Sequence, residues 1–197
     1  MQETIFTWPN LITITRVFAV LPVIGLVHAG AAPGQSDLLW IALALMIACE
    51  ISDWLDGYLA RRMNWVSSSG KVLDPMADSL YRISVFAALV ANDWMPLWML
   101  LIMAARDLGM SEVRLLAQRA KLTLAARSSG KLKAAVQGIA QFATVALYAI
   151  GGGTISDNMS FAVDGLLYLA TAVTLWSIVD YGQGVARALR GQMVVSQ

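Results

Sequence analysis

Residues 38–62 read LLWIALALMIACEISDWLDGYLARR, and this stretch decides the fold. Twelve apolar residues, 38–49, run straight into Glu50, Asp53 and Asp56 and stop at Arg61 and Arg62. A helix crossing a bilayer needs about 20 mostly apolar residues at 1.5 Å rise each. Residues 38–59 supply that length, yet the last turns carry carboxylates. Such a segment is a membrane span with a polar end, and the rest of the chain should be built around it.

Composition agrees. Hydrophobic residues make up 58% of the 197 and charged residues 14%, against roughly 45–50% and 25% in soluble domains. A soluble globule of this size cannot bury that excess, so the lipid bilayer is an expected partner. The net charge of +1 gives no basic face for nucleic acid. A single cysteine, Cys49, excludes an internal disulfide and a cysteine-rich metal site.

Working outward, residues 11–27, 38–59, 76–90, 97–116, 132–150 and 161–185 are candidate spans, separated by turn-rich breaks. The expectation is an all-α membrane protein of six transmembrane helices in one domain, 1–197. The first stretch reads as a retained span, because Glu3 precedes it and no basic residue comes before Arg16, the reverse of a signal peptide. The breaks at 28–37, 92–96 and 151–160 contain none of the 14 lysines and arginines; all of them fall on or near the other side. The positive-inside rule makes that side cytoplasmic, with both termini there.

On the second span Asp53 and Asp56 point about 60° apart, and Gly57 and Ala60 follow each by one turn. Carboxylates in a span cost roughly 2.5–3.5 kcal/mol each near mid-membrane, so they are functional by default. The third span opens with Gly70, Lys71, Asp74, Pro75 and Asp78. Pro75 suits a first helical position, which makes Asp74 the expected N-cap and puts Asp78 about 40° round, one turn later. A short link, 67–70, makes the two spans antiparallel neighbours, and four carboxylates converge at one depth. Hard divalent cations neutralise such a cluster better than lysine or arginine, and two are expected. The bland alternatives are an N-cap for Asp74 and ion pairs with Arg61 or Arg62 for Asp53 and Asp56. They account for the acids singly, not for the four together.

These residues resemble the signature of the CDP-alcohol phosphatidyltransferase family, D-x2-D-G-x2-A-R-x8-G-x3-D-x3-D. Here it is Asp53, Asp56, Gly57, Ala60, Arg61, Gly70, Asp74 and Asp78, eight positions over 26 residues without a gap. The resemblance implies a six-span bundle that moves a phosphatidyl group from CDP-diacylglycerol to a polar alcohol acceptor and releases CMP. It implies two divalent cations, magnesium or manganese, and a homodimer. By position, Asp53, Asp56, Asp74 and Asp78 would hold the metals, and Asp78 would also take the acceptor's proton as catalytic base. Asn10, Asp53, Gly57, Ala60, Arg61 and Gly70 would bind CDP-diacylglycerol. The expected location is the bacterial inner (cytoplasmic) membrane, with the site facing the cytoplasm.

The acceptor is read from a second set of residues. Pro9 to Thr13 with Arg16, Ser129 to Lys133 with Gln137, and the pair Arg106–Asp107 resemble the family's phosphatidylglycerophosphate-forming branch. Arg106, Arg114, Lys131 and Lys133 are candidates for the phosphate of sn-glycerol 3-phosphate. A positive-inside flank is the plain alternative for Lys131 and Lys133. For Arg106 with Asp107 it is a structural ion pair, although adjacent side chains on a helix diverge. Ser79 stands where glycerophosphate-using relatives commonly have lysine, and Arg82 follows Asp78 by one turn. Inositol 1-phosphate is the nearest competing acceptor, with serine or inositol behind it. A different class, a small cation carrier, would place acids on both faces of the membrane. Elsewhere, His28 is expected on the far side, Cys49 as a packing residue and Glu50 in a helix-to-helix hydrogen bond.

Overall fold

The computed structural model describes the backbone of residues 8–62, 70–119 and 128–195, and the side chains of 18–52, 55, 76–113 and 128–186. The described residues form six helices and no strand: α1 Trp8–Gly30, α2 Asp37–Arg62, α3 Gly70–Ala91, α4 Leu97–Arg119, α5 Ser128–Ile150 and α6 Asp157–Val195. Each expected span falls within one of them.

Three sharp turns explain where these helices stop. α3 closes with Trp94 N–H donating to the Leu89 carbonyl at 2.9 Å and Asp93 N–H to the Val90 carbonyl at 3.1 Å. That is a Schellman cap, and Asp93 takes the left-handed position at φ 59°. α5 ends the same way through Gly153 to Tyr148 and Gly152 to Ala149, with Gly152 at φ 70°. At the end of α1, a Cβ on Gly30 would lie 2.7 Å from Leu39, so only glycine lets α2 turn back this closely.

The turns meet. His28 Nδ1 is 3.0 Å from Asn92 Oδ1, and the Trp94 ring stacks on Tyr148 with centroids 3.7 Å apart. Gly153 lies against the Gly30 carbonyl. All three lysine- and arginine-free connections therefore gather at one end of the bundle, and His28 lies there as expected. The opposite end holds the C-termini of α2, α4 and α6 and the N-termini of α1, α3 and α5; it is the basic end.

Among the described residues, neighbours run α2–α1–α3–α4–α6–α5 and back to α2, a ring crossed by a contact between α3 and α5; α1 and α5 thus lie between α2 and α3, which were expected to pack directly on each other. Its core contains Val23, Leu39, Met46, Phe86, Leu89, Met99 and Leu167. Large apolar side chains also cover the outside, with Phe161 at 81% exposure and Phe18, Leu21, Leu101 and Leu108 all above half. A water-facing surface does not tolerate that density of apolar groups. Among the described residues, one stretch, Asp157–Ala186, is by itself long and apolar enough to cross a membrane; α4 is interrupted by Arg106, Asp107 and Glu112.

Two expectations need correction. α3 begins at Gly70, not at Pro75, so Asp74 is its fifth residue and not an N-cap. Pro75 is then the sixth residue, where it lacks the N–H that would reach back to the Lys71 carbonyl and its ring crowds that carbonyl, so the first turns of α3 carry one missing backbone bond. α6 continues ten residues beyond the expected end at 185, because polar residues at its basic end do not interrupt helical backbone bonding.

Candidate active site

Asp53 and Asp56 fall in the last turns of α2, and Asp74 and Asp78 in the first turns of α3, so all four backbone positions belong to the basic end. α2 and α3 both pack on α1 and on α5, which flank the space between them. The side chains of Asp53, Asp56, Asp74, Gly57, Ala60, Arg61, Asn10 and Arg114 lie outside the described residues, as does the 63–69 link. Gly70 is placed as the first residue of α3.

Asp78 is described. Its carboxylate is 37% exposed and is paired with Arg82, one turn on and only 12% exposed. Arg82's backbone carbonyl accepts a hydrogen bond from Gln141 Nε2 on α5 at 2.7 Å. Arg82 is among the residues lining a groove between α2 and α5 with a volume of about 1000 Å³. Glu50 is the other charged residue of the lining, and Trp40, Ile47, Ile139 and Phe142 are among its apolar residues. Cys49, expected as a packing residue, is buried.

A second polar cluster joins α4, α5 and α6. Lys133 Nζ donates to Asp107 Oδ1 at 2.6 Å, and Arg106 Nη1 donates to the same oxygen at 3.0 Å. Arg106 Nη2 reaches Ser177 Oγ at 2.8 Å. Arg106, Asp107 and Lys133 are 8%, 4% and 3% exposed. Two cations thus share one buried carboxylate, and Arg106 Nε is buried without a hydrogen-bond partner. Gly130 lies beside this arginine: a Cβ there would sit 3.5 Å from Nη2, in ordinary contact. The plain alternative for these two residues, a structural ion pair, is formed: adjacent side chains diverge on a helix, but the long arginine folds back to its neighbour. Of the proposed acceptor residues, Arg106 and Lys133 are brought together, and Lys131 is exposed.

The two clusters lie at similar depth. α3 and α5 start at the same end, and Gln141 meets the carbonyl of Arg82. Asp78 is four residues nearer the start of α3, and Lys133 eight nearer the start of α5. At 1.5 Å per residue they differ by about 6 Å along the bundle.

Sequence reading missed the α6 half of the second cluster. Ser177 holds Arg106, Asp180 accepts from Ser129 Oγ at 2.6 Å, and Thr174 accepts from Gln137 Nε2 at 3.0 Å. A carboxylate late in the apolar α6 was the available signal.

Comparison with known proteins completes the description. Residues 6–177 match the family model described as CDP-alcohol phosphatidyltransferase. A protein of Mycoplasma pneumoniae named CDP-diacylglycerol–glycerol-3-phosphate 3-phosphatidyltransferase is 33% identical over 210 residues, covering 95% of this chain and 92% of its own length. A Bacillus subtilis protein of the same name is 33% identical over 68% of this chain and 74% of its own. A CMP-forming cardiolipin synthase of Streptomyces coelicolor is 36% identical over 53% of this chain and 48% of its own.

Proposed function

We infer the activity from one premise: the chain belongs to the CDP-alcohol phosphatidyltransferase family. It is an enzyme of phospholipid biosynthesis that transfers the phosphatidyl group of CDP-diacylglycerol to sn-glycerol 3-phosphate, giving phosphatidylglycerophosphate and CMP. The observation that carries the acceptor is the buried pair Arg106 and Lys133 on a single carboxylate. The excess positive charge suits a phosphorylated alcohol and has no use for serine or free inositol.

The donor chemistry is assigned to the α2–α3 acids. Four carboxylates on facing helix ends are hard oxygen donors, the set that magnesium or manganese takes. Asp53, Asp56, Asp74 and Asp78 would hold two such ions, which supply neutralisation of the diphosphate and stabilisation of the leaving oxygen. Asn10, Gly57, Ala60, Arg61 and Gly70 would bind the cytidine nucleotide, the small residues letting it approach the backbone. The Asp78 carboxylate takes the proton from the acceptor hydroxyl. That oxygen forms the new bond to the phosphorus bearing diacylglycerol, and the bond to CMP breaks with its electrons going to CMP. The α2–α5 groove, whose lining includes Arg82, receives an acyl chain of the donor.

In the same reading all six helices are membrane spans, covered by lipid along their apolar exteriors. The basic end and both termini face the cytoplasm of a bacterial inner membrane, and two copies form a homodimer. The test is CMP release by purified protein with magnesium, CDP-diacylglycerol and each of glycerol 3-phosphate, inositol 1-phosphate, serine and inositol. Turnover with glycerol 3-phosphate is expected. Turnover with inositol 1-phosphate alone would reassign the acceptor, and none with any of the four would overturn the reading.

A further inference from the structure

Arg82 stands where two parts of the molecule join. Its guanidinium pairs with Asp78, and the residue is, with Glu50, one of two charged residues among those lining the α2–α5 groove. Its position is fixed twice over: the side chain is 12% exposed, and Gln141 holds its carbonyl at 2.7 Å. Apart from Glu50 and Arg82, the groove's lining is apolar. A lipid lying there with its head at the Asp78 end must therefore pass the guanidinium where its hydrocarbon gives way to its phosphate.

We propose that Arg82 is a donor-specificity residue that binds an anionic oxygen of the phosphoryl group carrying the diacylglycerol. The proposal rests on the family reading above and adds a contact to it. The chemistry favours arginine in this place. A guanidinium presents five N–H donors in a rigid fork, so it can keep one carboxylate and still offer hydrogens to a second anion. Arg82 also explains how a chain with Ser79 after Asp78 keeps a cation beside that aspartate: the charge comes from one turn along the helix instead of from the next residue. Lysine lacks the planar fork and presents its three donors from a single nitrogen.

The experiment measures steady-state kinetics of wild type, Arg82→Ala, Arg82→Gln and Arg82→Lys in mixed micelles, varying CDP-diacylglycerol and glycerol 3-phosphate separately. Loss of a charge-assisted bond predicts that Arg82→Ala and Arg82→Gln raise KM for CDP-diacylglycerol about ten-fold or more. KM for glycerol 3-phosphate should stay within about two-fold, and Arg82→Lys should recover part of the donor affinity. A merely structural role would not split the two KM values or respond to lysine. As a second measurement, CDP-diacylglycerol with magnesium and no acceptor should raise the melting temperature of wild type, and that of Arg82→Ala clearly less. If wild type turns over and both Arg82→Gln and Arg82→Ala keep the donor KM, the contact is wrong and the family reading stands. A rise in the acceptor KM alone overturns the proposal in the same way. A wild type inactive on CDP-diacylglycerol defeats the reading beneath it.

Discussion

Lys133 on α5 and Asp107 on α4 meet at 2.6 Å in the interior of the bundle, and Arg106 shares the same carboxylate oxygen. One anion therefore fixes two cations contributed by different helices. Removing one partner of a buried ion pair is worse than removing both, because the survivor is left charged and unsolvated. Asp107→Asn should destabilise the protein by about 3–5 kcal/mol. Asp107→Asn/Lys133→Met should lose clearly less than the sum of the single changes, a coupling measurable by unfolding in detergent micelles. Strict additivity would show that the pair is not coupled in the folded protein.

Lys133→Met alone leaves Asp107 with Arg106 and tests the acceptor assignment. Losing a charged hydrogen-bond donor to phosphate should raise KM for glycerol 3-phosphate about ten-fold or more. KM for CDP-diacylglycerol should change by less than about two-fold, since the donor is assigned to the α2–α3 end. The opposite pattern would move the acceptor phosphate away from α4 and α5.

These two clusters differed in how well the sequence disclosed them. The six helices follow from apolar length and from turns such as 92–96 and 151–153, where backbone preference alone fixes a stop. The aspartates of α2 and α3 stand out because carboxylates in apolar segments have few bland uses. The start of α3 lies upstream of the expected one because a proline marks the opening turns of a helix without fixing which of their residues it occupies. Ser177 and Asp180 went unread for a different reason: their role exists only once α6 lies against α4 and α5. Likewise, Arg106 and Asp107 diverge at their α-carbons, and only the reach of a long side chain in a crowded interior reunites them.

The base and the metal set separate by readout. Asp78→Asn should lower CMP release by about 10²–10⁴-fold, the usual worth of a general base, and by more if a metal is also lost. Chelation with EDTA should abolish release, and added magnesium or manganese should restore it. Binding is read independently from the melting temperature, which either ion should raise in wild type by mass action. Asp53→Asn/Asp56→Asn should lose that rise. Persistence of the rise in the double variant would place the ions elsewhere.

The groove between α2 and α5 offers a test that spares the fold. Gly138 lines it, and a Cβ added there would meet nothing within 4 Å. Replacing a mid-helix glycine removes a backbone-entropy penalty of roughly 0.5–1 kcal/mol relative to alanine. Gly138→Leu should therefore fold at least as well as wild type while its side chain narrows the groove. If an acyl chain occupies that space, KM for long-chain CDP-diacylglycerol should rise several-fold, and KM for a short-chain analogue should rise less. Equal KM values for wild type and Gly138→Leu on the long-chain donor, with the variant folded, would mean that the lipid tails lie along another face of the bundle.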